Sequence, residues 1–203
     1  MNGNSIVALA DWRRCVSDLY ATILATEDPR IRWEIWRGAR LALFRDHSQL
    51  PIDPARRSSY PSVPVFAYNP PLRFLVAVEV LAGILEEVWD IGADGHIRVL
   101  PGLRTVGLRA ALGAELTEGY GGGMLLPIKD ATSGAETYGG GRYLLNSIKV
   151  ADLGMDHKKL MLDFNFSYHP SYRNSDAWVY PLAPIKNIVP AVAHAGYRMA
   201  ASA

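Results

Sequence analysis

The chain has 203 residues, of which 21 are Lys or Arg, 20 are Asp or Glu, and 49% are hydrophobic. This composition is typical of a globular protein and excludes long disordered stretches, which need high net charge and few apolar residues. A net charge of +1 disfavours a nucleic-acid partner, and no apolar run approaches the roughly 20 residues that span a bilayer, so we expect neither nucleic acid nor membrane as a partner. A single domain is expected over residues 1–203.

The first 46 residues predict a helical hairpin. A first helix is predicted over 5–25 by an apolar stripe at three- and four-residue steps, formed by Leu9, Trp12, Val16, Leu19 and Ile23. Asp28 is a good N-cap and Pro29 a good first helical residue, so a second helix is predicted from there to about Asp46.

The single cysteine of the chain, Cys15, lies within the first predicted helix. It excludes an intramolecular disulfide. We interpret it as a small packing residue, because a reactive thiol needs a nearby His and the local sequence shows none. The first residues lack the basic and then apolar pattern of a secretory signal, so a cytoplasmic location is expected.

Prolines recur through residues 47–71, and apolar residues alternate from Phe74 onward, as in a strand. Further strands are predicted near 85–91, 97–100, 124–129, 141–148 and 159–167, while 104–117 fits either strand or helix. The Pro-interrupted segment after Pro170 is expected to wrap the sheet. The predicted fold is therefore α+β, with the helical hairpin (1–46), a Pro-rich connection (47–71) and a mainly antiparallel, barrel-like sheet (72–203).

Two glycine clusters, at 121–123 and 139–141, stand directly before predicted strands. Glycine permits positive φ and a close approach of backbone to a ligand or a second strand. A phosphate-binding loop needs a helix after the glycines, and here a strand pattern follows each cluster. Bulges or tight bends are therefore favoured over nucleotide binding.

The polar loop between the clusters is a candidate site. Asp130 and Thr132 fit a turn closed by their side chains. Alternatively, Asp130, Glu136 and Arg142 form a charged cluster at the mouth of a pocket, where an Arg beside two carboxylates keeps one protonated and one ionised.

Polar residues near 163–169 form a second candidate. Asp163 and Asn165 share one face of a predicted strand, so burial of that face would require partners for both. Arg142 is the expected partner of Asp163, either as a structural bridge or as part of a site that orients a substrate. Tyr168 and His169 follow and supply a phenol and an imidazole for proton transfer.

No histidine pair shows the spacing of a metal site on one helix. A site assembled from Asp130, Asp163 and His169 is left open as an alternative. We expect no metal and no cofactor.

Long motifs in the chain resemble a known family. These are EGYGGGMLLPIKDATSGAETYGGGRYLLNSIKVADLG, LDFNFSYHPS and PLAPIKN. They are similar to the bacterial domain of unknown function 1684, and LADWRRCVSDLY, LFRDHSQLP and FAYNPPLRF resemble its shorter members. The resemblance covers nearly the whole chain and implies a β-rich domain without an assigned biochemical role.

The chain also departs from that family. Two cysteines that the resemblance places after YHPS are Tyr172 and Tyr180 here, and a Pro-Glu-Asn motif reads Ile185-Lys186-Asn187. Asn146 replaces an acidic residue and Lys129 an arginine. These changes imply a C-terminal rim adapted to another ligand, although neutral drift would produce the same pattern.

The residues support three hypotheses. The first is an enzyme of the isomerase, cyclase, lyase or hydrolase type that acts on a small molecule without a cofactor, as in secondary metabolism. In it Arg142 holds an oxyanion or carboxylate, Asp163 or Glu136 is the base, and Tyr168 or His169 is the acid. The predicted substrate-binding residues are Tyr120, Asp130, Thr132, Tyr138, Asn165, Tyr172 and Tyr180. The others are a non-catalytic small-molecule binding module and a structural or interaction protein; a homodimer stays open.

Overall fold

The computed structural model describes residues 3–49, 63–80, 87–90, 96–99, 103–106, 113–117, 123–147, 150–174 and 182–200. Most of the predicted Pro-rich connection lies outside these ranges. So do two predicted site residues, Tyr120 and Tyr180. No helix in the described ranges combines the length and apolar character needed to cross a membrane.

The two predicted helices are confirmed as α1 (Gly3–Ala25) and α2 (Pro29–Asp46). Asp28 caps α2, because its Oδ1 accepts hydrogen bonds from the backbone N–H groups of Arg30 at 2.8 Å and Ile31 at 3.0 Å. This cap and Pro29 satisfy or remove donors that a helix otherwise leaves unpaired at its first turn. The helix boundary that the sequence predicts therefore has a local chemical cause.

The rest of the described chain is mainly antiparallel sheet, which confirms the α+β class. The strands are β1 (Arg73–Val80), β2 (Glu87–Asp90), β3 (His96–Val99), β4 (Leu103–Val106), β5 (Gly113–Thr117), β6 (Gly123–Ile128), β7 (Arg142–Asn146), β8 (Met155–Asp156) and β9 (Lys159–Asp163). Seven of them form one sheet in the order β7-β6-β5-β4-β1-β9-β8, and β2 pairs with β3 separately. The ambiguous stretch 104–117 contains strand at both ends.

A closed barrel is not shown by the strand pairing. Among the described residues the ladder runs from β7 at one edge to β8 at the other. One β-bridge links β7 to the residues that follow β9. In it the N–H of Tyr143 donates to the carbonyl of Tyr168 at 2.8 Å, and the N–H of Tyr168 donates to the carbonyl of Tyr143 at 3.0 Å. The sheet is thus connected near its ends by one bridge rather than by a strand ladder.

The last predicted strand ends earlier than its alternating pattern indicates. Strand β9 stops at Asp163, and a 3₁₀ turn covers Phe164–Phe166. The carboxylate of Asp163 accepts the backbone N–H of Asn165 at 3.0 Å, which favours the turn over continued strand. The prediction of strand up to 167 is wrong, and Asn165 does not share a strand face with Asp163.

The segment 182–200 forms backbone hydrogen bonds to two separate parts of the chain. The N–H of Lys129 donates to the carbonyl of Asn187 at 3.0 Å, and the N–H of Val189 donates to the carbonyl of Lys129 at 2.8 Å. Farther along, the N–H of Tyr197 donates to the carbonyl of Ser167 at 2.9 Å. We call residues 182–200 the tail; it covers both the loop after β6 and the turn after β9.

The hairpin and the sheet share one buried cluster. Trp36 is fully buried, and its ring lies 5.4 Å from the rings of both Phe166 and Tyr197. Aromatic contacts of this kind contribute beyond the area that they bury. Helix α2 therefore packs on both the turn after β9 and the tail.

Candidate functional site

Arg142, at the start of β7, is a buried clamp on the tail. Its side chain is 1% exposed, and Nη2 lies 3.2 Å from Oδ1 of Asp130. The guanidinium also donates to the carbonyls of Ala193 at 3.1 Å, of Tyr197 at 3.3 Å and of Ala195. Burial lowers the pKa of Arg142, and the charge of Asp130 opposes that effect. These contacts give Arg142 a structural role.

Asp130 is held by the turn that the sequence predicts. Its carboxylate accepts the hydroxyl of Thr132 at 2.9 Å, the hydroxyl of Ser133 at 3.3 Å and the N–H of Ala193 at 2.7 Å. Thr132 is itself buried. The turn interpretation is confirmed for this pair, and the carboxylate is fully engaged within the protein.

Glu136 does not join this pair, although one hypothesis groups the three charges. Its side chain is exposed, and its Oε1 lies 2.9 Å from Nε2 of His194. The two residues border a shallow cleft of about 310 Å³ that Phe66 and Tyr68 also line. Glu136 is therefore a surface group, in contact with the tail rather than with Arg142.

The expected pairing of Arg142 with Asp163 is wrong. Asp163 lies opposite Arg73 in the β1–β9 register, and its Oδ2 is 3.9 Å from Nε of Arg73. Its other carboxylate oxygen accepts Nδ2 of Asn165 at 2.7 Å. Burial raises the pKa of Asp163. The strand register, which charge complementarity alone does not reveal, selects the partner.

Asn165 has a structural task of its own. Its Oδ1 accepts the N–H of Asn69 at 2.8 Å, and its Nδ2 donates to the carbonyl of Asn69 at 2.9 Å. This pair of bonds ties the segment before β1 to the turn after β9. Asp163 and Asn165 thus act as one buried network that positions backbone.

His169 differs from these groups because its polar atoms are not satisfied. The residue is 5% exposed, and neither ring nitrogen has a hydrogen-bond partner among the described residues. Burial lowers the pKa of His169 to about 3, and the charges of Arg173 and Arg142 act in the same direction. The imidazole is therefore neutral at physiological pH, with one N–H donor and one acceptor.

Two tyrosines contact this imidazole, and a third contacts one of them. The rings of Tyr138 and Tyr197 lie 6.2 and 5.6 Å from the ring of His169, and the ring of Tyr172 lies 5.9 Å from that of Tyr138. The hydroxyl of Tyr172 is buried without a partner in the described part of the chain. Burial, with a smaller contribution from Tyr138, raises the pKa of Tyr172. We call Tyr138, His169, Tyr172 and Tyr197 the His169 cluster.

Sequence reasoning identified three members of this cluster and missed Tyr197. Nothing local marks Tyr197, and only the path of the tail brings it to His169. Tyr168, by contrast, turns toward the hairpin, where the guanidinium of Arg40 lies 4.9 Å from its ring centroid. Tyr168 therefore lies among the packing residues of the shared core, beside the cluster.

The metal alternative built on Asp130, Asp163 and His169 is not formed. In the part of the chain that the structure describes, the one group of His, Cys, Asp and Glu close enough to hold an ion is Asp11, Cys15 and His47. The sequence carried a signal for it, since Asp11 and Cys15 are four apart on a helix and the hairpin returns residue 47 to that helix. The interpretation of Cys15 as having no nearby His is corrected by the same contact.

Comparison with known proteins adds a family and a fold. A family model described as "Protein of unknown function (DUF1684)" matches residues 58–198. The chain is also similar to a solution NMR structure of an uncharacterized protein from Haloarcula marismortui, with 27% identity and a TM-score of 0.57 over 80% of this chain and 90% of that one. None of the curated proteins matches.

Proposed function

This chain belongs to the DUF1684 family of unknown function, and from that premise we propose that it binds a small polar molecule at the His169 cluster. One observation carries the proposal: both nitrogens of His169 and the hydroxyl of the neighbouring Tyr172 are buried without a partner among the described residues. Buried polar groups are nearly always hydrogen-bonded, and exceptions are costly. Neighbouring exceptions are most simply explained by a partner from outside the chain.

The chemistry of the cluster favours a planar or aromatic carboxylate. Tyr138 and Tyr172 offer ring surfaces, which stack well on flat molecules, while Tyr197 is packed against Trp36. The neutral imidazole and the Tyr172 hydroxyl each offer a donor. The positive charges that depress the pKa of His169 also favour a negative group beside it.

A short turn carries one member of the cluster. Tyr172 belongs to the 3₁₀ turn Ser171–Arg173, whose residues are half-buried. We infer that this turn moves aside to admit the ligand. A turn of three residues has few backbone bonds to lose, which keeps the cost of such a movement low.

The geometry supports a binding function more strongly than a catalytic one. A pKa of about 3 makes His169 a weak proton acceptor, and an efficient general base has a pKa near the working pH. The hydrogen-bonding groups of Arg142 and Asp163 are engaged within the protein. A cofactor-free enzyme is the second candidate, and the unpaired imidazole of His169 and hydroxyl of Tyr172 favour it, since both can exchange a proton with a bound substrate.

The test uses benzoate as the probe and benzamide as its neutral isostere. Benzoate should raise the melting temperature of the full chain in a concentration-dependent way, and benzamide should raise it less. Tyr172→Phe keeps the ring and removes the hydroxyl, so its shift with benzoate should be smaller than that of the wild type.

Tyr68→Phe is the matched control, because Tyr68 is a partly buried tyrosine beside a different cleft. It should respond to benzoate as the wild type does. Equal shifts in all three proteins, or no shift with either probe, would contradict the proposal. Native mass spectrometry of the purified chain adds an independent check, because a retained organic molecule would appear as extra mass.

A further inference from the structure

The helical hairpin contains a cluster of three metal-ligating side chains. Asp11 and Cys15 lie one turn apart on the same face of α1, and His47 directly follows α2. One ligand atom from each lies within 4.8 Å of the others, and Nε2 of His47 is 3.2 Å from Oδ2 of Asp11. We call these three residues the hairpin trio.

We propose that the hairpin trio binds a divalent transition-metal ion, with Zn²⁺ as the favoured occupant. Thiolate, imidazole and carboxylate are the three ligand types that Zn²⁺ accepts, whereas Mg²⁺ and Ca²⁺ prefer oxygen alone. Three protein ligands leave the fourth tetrahedral position to water. The trio lies outside the family match at 58–198, so the proposal is independent of the His169 cluster.

The trio needs only small side-chain movements to reach tetrahedral geometry. Zn²⁺ bonds of about 2.0–2.3 Å place neighbouring ligand atoms roughly 3.3–3.8 Å apart. The 3.2 Å contact between His47 and Asp11 already approaches this spacing. The side chain of Asp11 is 54% exposed and free to adjust, and its contact with Arg14 at 3.6 Å is a weak surface pair.

The ring of His47 is held in place from two sides. Its centroid lies 5.0 Å from that of Trp12, and the N–H of Gln49 donates to Nδ1 at 3.1 Å. That bond places the ring proton on Nε2, toward Asp11. A metal bound at Nε2 takes the place of this proton, which moves to Nδ1 at the expense of the Gln49 bond, while the thiol proton of Cys15 leaves to solvent.

The site has a route to solvent. A groove of about 600 Å³ runs between the two helices, and Cys15 and His47 both line it. Asp18 and Asp46 line the same groove. The carboxylate of Asp18 attracts cations to this groove, whereas that of Asp46 is paired with Arg45 at 2.7 Å.

Cobalt substitution gives a sharp test, because the chain has one cysteine and a thiolate-to-Co²⁺ charge-transfer band reports that residue alone. We expect the reduced full chain to bind one equivalent of Co²⁺ with this band and with the intense visible absorption of tetrahedral cobalt, and Zn²⁺ to abolish both. Cys15→Ser should lose the band. His47→Gln removes a metal ligand and should weaken Co²⁺ binding by at least about tenfold. Loss of a group that only hydrogen-bonds to a ligand can already weaken metal binding that much.

His157→Gln is the matched control. His157 is an exposed histidine beside Asp156, with Nε2 and Oδ1 at 3.4 Å, and it lies in the turn between β8 and β9. This variant should bind Co²⁺ as the wild type does. The proposal is overturned if the wild type shows no thiolate band, or if His47→Gln and His157→Gln bind with equal affinity. Circular dichroism of each variant establishes that it is folded.

Discussion

At the scale of single residues, Arg142 joins three parts of the molecule. It starts β7, pairs with Asp130 in the preceding loop and donates to tail carbonyls such as that of Ala193. A buried guanidinium is stable only where its charge is paired and its N–H donors are hydrogen-bonded, as they are here. Removing it leaves Asp130 as a buried carboxylate without its cation.

We predict that Arg142→Met lowers the free energy of unfolding by about 3–5 kcal/mol, because an unpaired buried charge is strongly destabilising. Urea denaturation measures the change. Arg30→Met is the control: Arg30 and Glu34 form an exposed pair at 3.2 Å, and losing it should cost less than about 0.5 kcal/mol. Equal losses in both variants would contradict a structural role for Arg142.

His169 predicts a pH dependence of stability. Its pKa is about 3 in the folded protein and near the ordinary 6.5 in the unfolded chain, so between these values the unfolded chain binds more protons. Stability that is fully present above about pH 6.5 is therefore lost as the pH falls toward 3, by on the order of 4 kcal/mol for this residue.

His169→Phe tests this, because phenylalanine keeps an aromatic ring at this position and removes the titrating imidazole. Urea denaturation at pH 7 and pH 5 should show a smaller decrease for the variant than for the wild type. Asp163 acts in the opposite direction, since burial raises its pKa, and it is unchanged in both proteins. A pH dependence equal to that of the wild type would show that His169 is not the buried neutral group.

Residue types were easier to predict than residue pairs. The sequence indicated that Asp130, Arg142, Asp163 and His169 matter, and all four are buried. It grouped Arg142 with Asp130 in one alternative, but it also named Asp163 as the partner of Arg142, whereas the strand register places Asp163 opposite Arg73. Tyr197 was not foreseen beside His169, because that contact depends on the path of the tail.

At the scale of elements, β7 depends on the glycine that precedes it. Gly141 has φ of +97°, and a Cβ added there would lie 2.5 Å from the carbonyl oxygen of Ile128 in β6. The second glycine cluster thus permits a tight approach between neighbouring strands, one of the roles predicted for it. Of the first cluster, the structure describes Gly123 alone.

Two alanine substitutions separate this effect from glycine flexibility in general. Gly141→Ala should lower the free energy of unfolding by at least about 1–3 kcal/mol, because a side chain is strained at positive φ. Gly38 lies within α2 and has open space around it. Gly38→Ala should therefore raise the free energy of unfolding by about 0.5–1 kcal/mol. Thermal denaturation compares the two, and effects of the same sign would contradict the argument.

Elements with local causes were predicted well. Helix α2 has its cap and its proline in the sequence, and its observed bounds match the prediction. The end of β9 was missed because the alternation of apolar residues continues through Phe164 and Phe166 while the backbone turns. The competing hydrogen bond from the Asn165 N–H to Asp163 decides the conformation there, and periodicity does not register it.

At the scale of the whole molecule, the hairpin and the sheet form a common core around Trp36. Phe166 and Tyr197 reach this residue from separate parts of the chain. The sequence predicts that each helix has an apolar face, but it does not state which part of the sheet that face covers. One domain stays a prediction, and from the shared core we expect one cooperative unfolding transition.

Trp36→Ala should lower the free energy of unfolding by about 3–5 kcal/mol, as expected for truncation of a large buried ring. Ile31→Ala, at an exposed position of the same helix, should change it by less than about 0.5 kcal/mol. In the wild type, urea curves from circular dichroism and from tryptophan fluorescence should coincide. Two separated transitions would show that the hairpin unfolds independently.

The clamp at Arg142 also has a consequence for how the protein is made. Its acceptors on Ala193, Ala195 and Tyr197 follow it in the chain by 51, 53 and 55 residues. At a synthesis rate of roughly 5–20 residues per second, about 3–10 s separate the translation of Arg142 from that of its acceptors. Until the tail leaves the ribosome, this guanidinium has no buried position to occupy. The buried contacts of Arg142 therefore form only after the tail has been synthesised.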